Sequence, residues 1–472
     1  MKPHARNILS LFGFDALGRF LGFVSTTYLA RTLGNGAFGV MNLGLAVLSY
    51  GLIFASPGVH IIGTRMVSQH TSDDSTILKQ VTTLRFVLAL CTTAVMTAGT
   101  VILVRDVTTA YVVIFYLASL LPFALQLEWF FQGTQRIAAL GASRAAGLLV
   151  FVLLVIFIVK SEADIILVPA AYFVSAAVNA IVLYFANQKK RTEDRALIKN
   201  TPSATVRWSS ILRQSLPVGA AVIIGQAVLN LPVLLLGVFA TTADIGNFSA
   251  ASKLIFFLLA IDRAIYVLFY PLVAKSIKSA PMGVGKQVSR ILNYVLIVVL
   301  PICTGGLVLA RPIIVLIFGP AYENSSLLLQ ILLFYFLFTI LNSIFAFIVI
   351  AAGNEKRYSA IMVTVSSALI VALVPLTYYW KAAGASCGMA AGECFMMVLM
   401  FRECRASISP RLQFQSIKPA VSALCMGLVI VSLPFTALYV LIPLGMIIYF
   451  VSMIVLRGIG KEDLIFLKER FL

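Results

Sequence analysis

Long apolar runs separated by short polar breaks recur along the whole chain, and most are long enough to cross a hydrocarbon core about 30 Å thick as a helix. Fourteen such runs are delimited, near 8–30, 38–61, 82–103, 111–131, 145–159, 165–186, 216–239, 248–274, 291–309, 327–351, 360–380, 385–401, 420–435 and 436–456. The fifth is short, and the last two are parted only by Pro434, Phe435 and Thr436. The first is too long for the core of a signal peptide and carries Asp15 and Arg19, so it is read as a retained helix. The pattern predicts an all-α integral membrane protein with about fourteen transmembrane helices.

Composition agrees. Charged residues make up 11% of the 472 and hydrophobic residues 60%, against about 25% charged in a soluble domain. The mean hydropathy is +1.00. The net charge of +18 is no nucleic-acid footprint, because the basic residues form no domain and are parcelled into the gaps between apolar runs. With the amino terminus placed in the cytoplasm, 28 of the 36 Lys and Arg fall on the inner side, Arg85, Arg136 and Arg144 among them. The outer side receives five (Arg31, Arg105, Lys160, Arg311 and Lys381), and Arg19, Lys253 and Arg263 lie within spans. That bias puts both termini in the cytoplasm. The six cysteines have no CxxC spacing and lie in or beside apolar runs, which implies neither a metal site nor a disulfide framework.

The longest polar stretch, 187–215, carries seven basic residues and divides the spans into two sets of six. The expected organisation is a six-helix lobe at 1–190, a basic cytoplasmic linker at 191–215, a second six-helix lobe at 216–405, and two further helices with a cytoplasmic tail at 406–472. Six is even, so the lobes run parallel, related by a pseudo-two-fold along the membrane normal, a transporter arrangement. A weak internal similarity agrees: 29–44 (LARTLGNGAFGVMNLG) and 236–251 (LGVFATTADIGNFSAA) each follow the first helix of a half, with Gly39 matching Gly246.

Charges inside a bilayer cost about 2.5–3.5 kcal/mol each, so those present should face a bundle interior or a water-filled cavity. Asp15 and Arg19 lie four apart on one helix face, an arrangement that suits an intrahelical ion pair. Lys253, Asp262 and Arg263 share the eighth span; adjacent residues diverge by about 100°, so Asp262 and Arg263 cannot serve the same neighbour. Glu393 lies inside the twelfth span, whereas Glu128, beside Trp129 near the inner end of the fourth, reads as an interfacial residue next to an aromatic anchor. Carboxylates held from water can exchange a proton near neutral pH, which makes Asp15, Asp262 and Glu393 candidates for ion coupling. The excess of cations on the first and eighth spans suits a negatively charged group, phosphate above all. Prolines at 57, 217, 232, 271, 301 and 375 allow bends. There is no GxxxxGK[ST] loop, no GxSxG elbow and no histidine cluster among His4, His60 and His70, so no ATPase, serine-hydrolase or metal chemistry is expected and no cofactor.

Several stretches, in order, resemble Wzx-type polysaccharide flippases. They are Phe20-Leu21-Gly22 with Tyr28-Leu29-Ala30-Arg31-Thr32-Leu33-Gly34 and Phe38-Gly39; Glu128-Trp129-Phe130-Phe131-Gln132-Gly133; Ile317-Phe318-Gly319-Pro320-Ala321-Tyr322; and Ala351-Ala352-Gly353-Asn354-Glu355-Lys356. The chain departs from the family pattern at Thr134-Gln135, where an acid is common, and at Ala321, which replaces an acid. Such flippases share a superfamily with multidrug exporters and the lipid II flippase of peptidoglycan synthesis. The resemblance implies two lobes around a cationic cavity, alternating access and coupling to H+ or Na+. The implied cargo is an undecaprenyl-diphosphate-linked oligosaccharide, moved across the bacterial cytoplasmic membrane for O-antigen, capsule or exopolysaccharide assembly. A polymerase and glycosyltransferases are the implied partners. On that footing Arg19, Lys253 and Arg263 would hold the diphosphate, the sugar would sit in water and the isoprenoid tail in lipid, while Asp15, Asp262 or Glu393 resets the carrier.

Two rivals fit less well. A multidrug antiporter would hold organic cations among carboxylates and aromatics, and here bases prevail. A membrane glycan polymerase or ligase needs a large outer loop for its catalytic residues, and the longest outer loop here runs only over 311–326. The chain is therefore expected not to be an enzyme.

Overall fold

Inside a bilayer no water reaches the backbone, so a chain of long apolar runs must satisfy its N–H and C=O groups within helices. A computed structural model describes residues 3–69, 74–194, 207–279, 284–408, 417–433 and 437–458; of 3–17, 189–194, 220–228, 278–279 and 407–408 it describes the backbone alone. The described residues contain no strand. Helices α1 (Pro3–Ala55), α2 (Val59–Ser68), α3 (Asp74–Leu103), α4 (Val107–Ala118), α5 (Leu120–Leu125), α6 (Glu128–Gly133) and α7 (Ile137–Ile158) come first. A 3-10 turn (Glu162–Ile166) then leads to α8 (Leu167–Asp194), α9 (Trp208–Phe239), α10 (Thr242–Leu258), α11 (Ala260–Ser279), α12 (Val284–Val308) and α13 (Ala310–Phe318). After a second 3-10 turn (Pro320–Tyr322) follow α14 (Ser325–Ala351), α15 (Glu355–Ile408), α16 (Ile417–Ser432) and α17 (Leu438–Val455).

Among the described residues ten segments are long and apolar enough to cross a membrane, and Leu229–Phe239 and Ile417–Ser432 are apolar but shorter. Two of the ten, Gly18–Ala55 and Glu355–Ala406, far exceed the roughly 20 residues that one crossing needs. Each is broken once: α1 at Gly34 (φ 71°, ψ 173°) and α15 at Lys381 (φ 48°, ψ −127°). The expected spans 8–30 and 38–61 fall on either side of the first break, and 360–380 and 385–401 on either side of the second. A positive φ costs glycine nothing, whereas at Lys381 it is strained. The prolines do not set these breaks; Pro217, Pro232, Pro271, Pro301 and Pro375 all lie inside helices, and only Pro57 falls in a gap. The short fifth run is the latter part of a full-length helix, α7, whose start is masked in hydropathy by Gly141, Ser143 and Arg144.

Two compact units divide the chain, Met1–Gly246 and Asn247–Leu472. In the first, α1 is the hub, packed by α3, α4, α7 and α9, while α7 pairs with α8. Of the expected basic linker, residues 195–206 lie outside the described residues; α9, just beyond it, packs on α1 and α2. In the second unit α14 is the hub, against α11, α12, α13 and α15. Helices α16 and α17 close on α12 through Leu309, Met426, Ile430 and Tyr449, and the Tyr449 hydroxyl donates to the Ile297 carbonyl at 2.8 Å. Large apolar side chains such as Leu103, Phe157, Val371 and Val455 are exposed, as a surface solvated by lipid requires. Tyr378, Tyr379 and Trp380 form an exposed aromatic run of the kind that settles at a membrane–water interface.

The internal similarity has a structural counterpart. In both segments a helix ends at a break, Gly34 in one and Ala240–Thr241 in the other, and a glycine follows five residues after Gly34 or Thr241. A Cβ on Gly39 would strike the Thr242 carbonyl, and one on Gly246 would strike the Asn35 carbonyl. Asn35 and Thr242 are themselves matched positions, so the contact is reciprocal. Small residues let two membrane helices touch backbone to backbone, and these two glycines do so against each other.

Candidate substrate and ion sites

Helix α14 presents two neighbouring polar residues to two different helices. The Ser343 hydroxyl hydrogen-bonds the Asp262 carboxylate on α11, and the Asn342 amide donates to Glu393 Oε1 on α15 at 2.7 Å. The two carboxylates lie close enough to act on each other electrostatically. Asp262 Oδ1 is buried and has no hydrogen-bond partner. A carboxylate oxygen left without a donor can accept a proton from a carrier or take up a small cation. Among the described residues no three His, Cys, Asp or Glu side chains come together as metal ligands.

The other candidates lie on separate helices. The Asp15 side chain lies outside the described residues, and Arg19 is exposed on the first half of α1. Lys253 is half-buried on α10, while Asp262 and Arg263 belong to α11, past a turn at Leu259, so the expected eighth span is two helical pieces. Arg263 is exposed and Asp262 half-buried, the divergence that their adjacency predicts. Asn247 is buried, and its Oδ1 accepts from the Ser325 hydroxyl at 3.1 Å.

The first unit holds a site that the sequence pattern does not single out. A cavity of about 420 Å3 is lined by Ser49, His60, Arg85, Gln126, Glu128 and Trp129, with others. Charge counting assigns Arg85 to the inner face, but α3 begins at Asp74, so Arg85 lies about three turns inside the helix. Its guanidinium donates to the Gln126 carbonyl at 2.8 Å and the Phe123 carbonyl at 3.0 Å. These carbonyls are freed where the chain breaks between α5 and α6, and the Gln126 amide ties the same break to the Ala176 carbonyl at 3.1 Å.

Glu128 opens α6 and is held in a fork by Arg144 (Nη2–Oε2 2.5 Å, Nε–Oε1 3.1 Å), with the Asn179 amide at 3.3 Å. The aromatic beside it is not the interfacial anchor expected from the sequence. Trp129 is only 2% exposed and packs in a core with Phe130, Phe131, Leu183 and Val81, because α6 is wedged against α2 and α7. The one available signal for this site was position: Arg85 falls inside the run 82–103 and is a buried-charge candidate by the same logic as Lys253.

Residues 4–277 match the model of a family described as "Polysaccharide biosynthesis protein". A protein of Escherichia coli (strain K12) described as "Putative O-antigen transporter" is 23% identical over 415 residues, covering 84% of this chain and 95% of the relative. Among solved structures, "Lipid II flippase MurJ, inward closed conformation" superposes with a TM-score of 0.74 at 13% identity, over 95% of this chain and 99% of that one. An "Outward-facing conformation of a multidrug resistance MATE family transporter of the MOP superfamily" matches 85% of this chain and 95% of its own, at 14% identity and a TM-score of 0.49. The fold is that of the lipid II flippase structure.

Proposed function

We propose, for a chain that belongs to the polysaccharide biosynthesis protein family, that it flips a polyprenyl-diphosphate-linked oligosaccharide across the bacterial cytoplasmic membrane. The observation that carries this reading is the family match together with an O-antigen transporter relative aligned along nearly its whole length. The fold shared with a lipid II flippase supports it. In this reading fourteen spans place both termini in the cytoplasm, two lobes work by alternating access, and no covalent bond is made or broken.

Arg19, Lys253 and Arg263 hold the diphosphate, whose two or three negative charges meet several cations in a medium of low dielectric. The isoprenoid tail stays in lipid. Resetting is driven by H+ or Na+ at Asp262 and Glu393, with Asp15 as a third candidate. The placement of the two carboxylates on neighbouring residues of α14, Glu393 on Asn342 and Asp262 on Ser343, supports coupling. Partners of the reading are a polymerase and glycosyltransferases that share the lipid carrier.

The test is reconstitution in proteoliposomes with a diphosphate-linked polyprenyl oligosaccharide, scoring access of its sugar to an external probe with and without a proton or sodium gradient. Protein-dependent, gradient-sensitive access is the expected result. No movement across several sugar heads, with the protein folded, would overturn the reading.

A further inference from the structure

We propose that a groove between α3 and α8 of the first unit holds an anionic phospholipid of the surrounding bilayer, with the phosphate at Lys79 and the acyl chains against the α5–α6 break. The groove shares no residue with those assigned above to the cargo and to ion coupling, and the proposal stands whether or not the flippase reading does.

Helices α3 and α8 each pack on α5, and a cavity of about 1090 Å3 opens between them. Its lining changes character with depth. Ser75, Thr76 and Lys79 from the first turns of α3, with Gln188 from α8, form the mouth, whereas Leu125, Leu127, Ala180 and Ile181 line the other end. From Ser75 to Thr83 on α3, and from Gln188 back to Ala180 on α8, the walls run about 12 Å along the helices. The interfacial layer of a bilayer is about 5–8 Å deep on each side of its hydrocarbon core, so a groove of this depth begins among head groups and ends among chains. Trp208, partly exposed at the start of α9, marks the level of the boundary: its indole N–H donates at 2.8 Å to Oε1 of Gln80, another lining residue. Tryptophan, polar at one edge and apolar over its face, settles at the head-group level. A soluble ligand would leave the apolar end unfilled and a bare hydrocarbon the polar mouth; a phospholipid fills both.

Charge selects among lipids. Of the described lining residues Lys79 alone is charged; it is exposed and forms no ion pair among the described residues. Asp74, which opens α3, does not line the groove. Basic pockets between membrane helices attract anionic head groups, and the hydroxyls of Ser75 and Thr76 supply donors to the oxygens of a phosphate. One ammonium balances the single negative charge of a phosphodiester, as in phosphatidylglycerol, and leaves a zwitterionic lipid no advantage. The two or three charges of a diphosphate would find one cation here, which sets this groove apart from a place for the cargo.

The experiment titrates phosphatidylglycerol and phosphatidylcholine of matched chains into the full chain in detergent and counts the retained lipids by mass spectrometry of the intact complex. Phosphatidylglycerol should bind saturably and several-fold more tightly than phosphatidylcholine. Lys79→Gln should weaken phosphatidylglycerol about fivefold and leave phosphatidylcholine unchanged, the effect of one basic residue at a membrane surface. Lys356→Gln, in the second unit, should change neither. Thr83→Phe fills the groove from an exposed position on its wall and should weaken both lipids alike, with circular dichroism confirming the fold. Glycerol 3-phosphate, which has the head group and no chains, should not compete. The proposal is overturned if the two lipids bind equally, if Lys79→Gln keeps the preference, or if Thr83→Phe binds phosphatidylglycerol as the parent does. Competition by glycerol 3-phosphate would assign the groove to a soluble phosphate, and displacement of phosphatidylglycerol by a lower concentration of polyprenyl diphosphate would assign it to the cargo; either result overturns the proposal.

Discussion

Replacing Gly39 by alanine sets a methyl group against the Thr242 carbonyl, and the same change at Gly246 sets one against the Asn35 carbonyl. Both obstacles are backbone and cannot rotate away, so the two helices must part. Overpacking of this kind costs about 1–3 kcal/mol, and a contact this close belongs at the upper end. Alanine recovers about 0.5–1 kcal/mol of helix propensity over glycine, which leaves each single variant destabilised by about 2 kcal/mol. One separation of the helices accommodates both methyls. The double variant should therefore cost little more than either single, a coupling of about 1–2 kcal/mol between sites 207 positions apart in sequence. Gly99, with open space where an added methyl would stand, is the control, and Gly99→Ala should be neutral or slightly stabilising. Denaturant unfolding of the purified chain in detergent, followed by far-ultraviolet circular dichroism, supplies the cycle. Strictly additive losses, or a single variant within about 0.5 kcal/mol of the parent, would refute the reciprocal contact.

Three further outcomes are expected. Glu393→Gln keeps an oxygen to accept from Asn342 but no charge, so in liposomes the variant should fold normally and flip its cargo without response to a proton gradient. Glu128→Ala and Arg144→Ala should each destabilise by about 1 kcal/mol, the pair being partly exposed, and the double variant should lose no more, as a double-mutant cycle in detergent would register. Asp106 caps α4 by accepting from the Thr109 N–H at 2.7 Å and its hydroxyl at 2.6 Å, and these bonds hold its pKa below the ordinary 3.8. Its stabilisation is present above that ordinary value and is lost as pH falls through the lower folded one. Asp106→Ala should cost about 0.5–1 kcal/mol near neutral pH and flatten the acid limb of a stability–pH profile.

Run length and residue type, both local properties, carried most of the architecture. A bilayer forces every long apolar run to satisfy its own backbone, so helices follow from hydropathy with few alternatives. That is why the expected runs fall on helices although the prolines within them gave no guide to the breaks. The breaks came instead from Gly34 and Lys381, which read in sequence as a motif glycine and an outer-face lysine. The glycines of the internal similarity were legible as letters, but nothing local says that Gly39 and Gly246 touch.

The sites divide in the same way. Asp262 and Glu393 stood out singly, because a charge in an apolar run is conspicuous wherever it occurs. Their proximity required α14, which offers Ser343 to one and Asn342 to the other. Trp129 reads from its neighbours as an interfacial anchor and is core, because burial depends on how α6 is wedged against α2 and α7. Arg85 was hidden by its nearness to a polar break; its depth follows from the start of α3 and its role from two carbonyls released about forty residues away. Sequence alone determined which segments leave water for lipid, since transfer free energy sums over the residues of one run. Only the tertiary structure decided which buried polar groups find partners, since a hydrogen bond depends on distances between runs that no single run encodes.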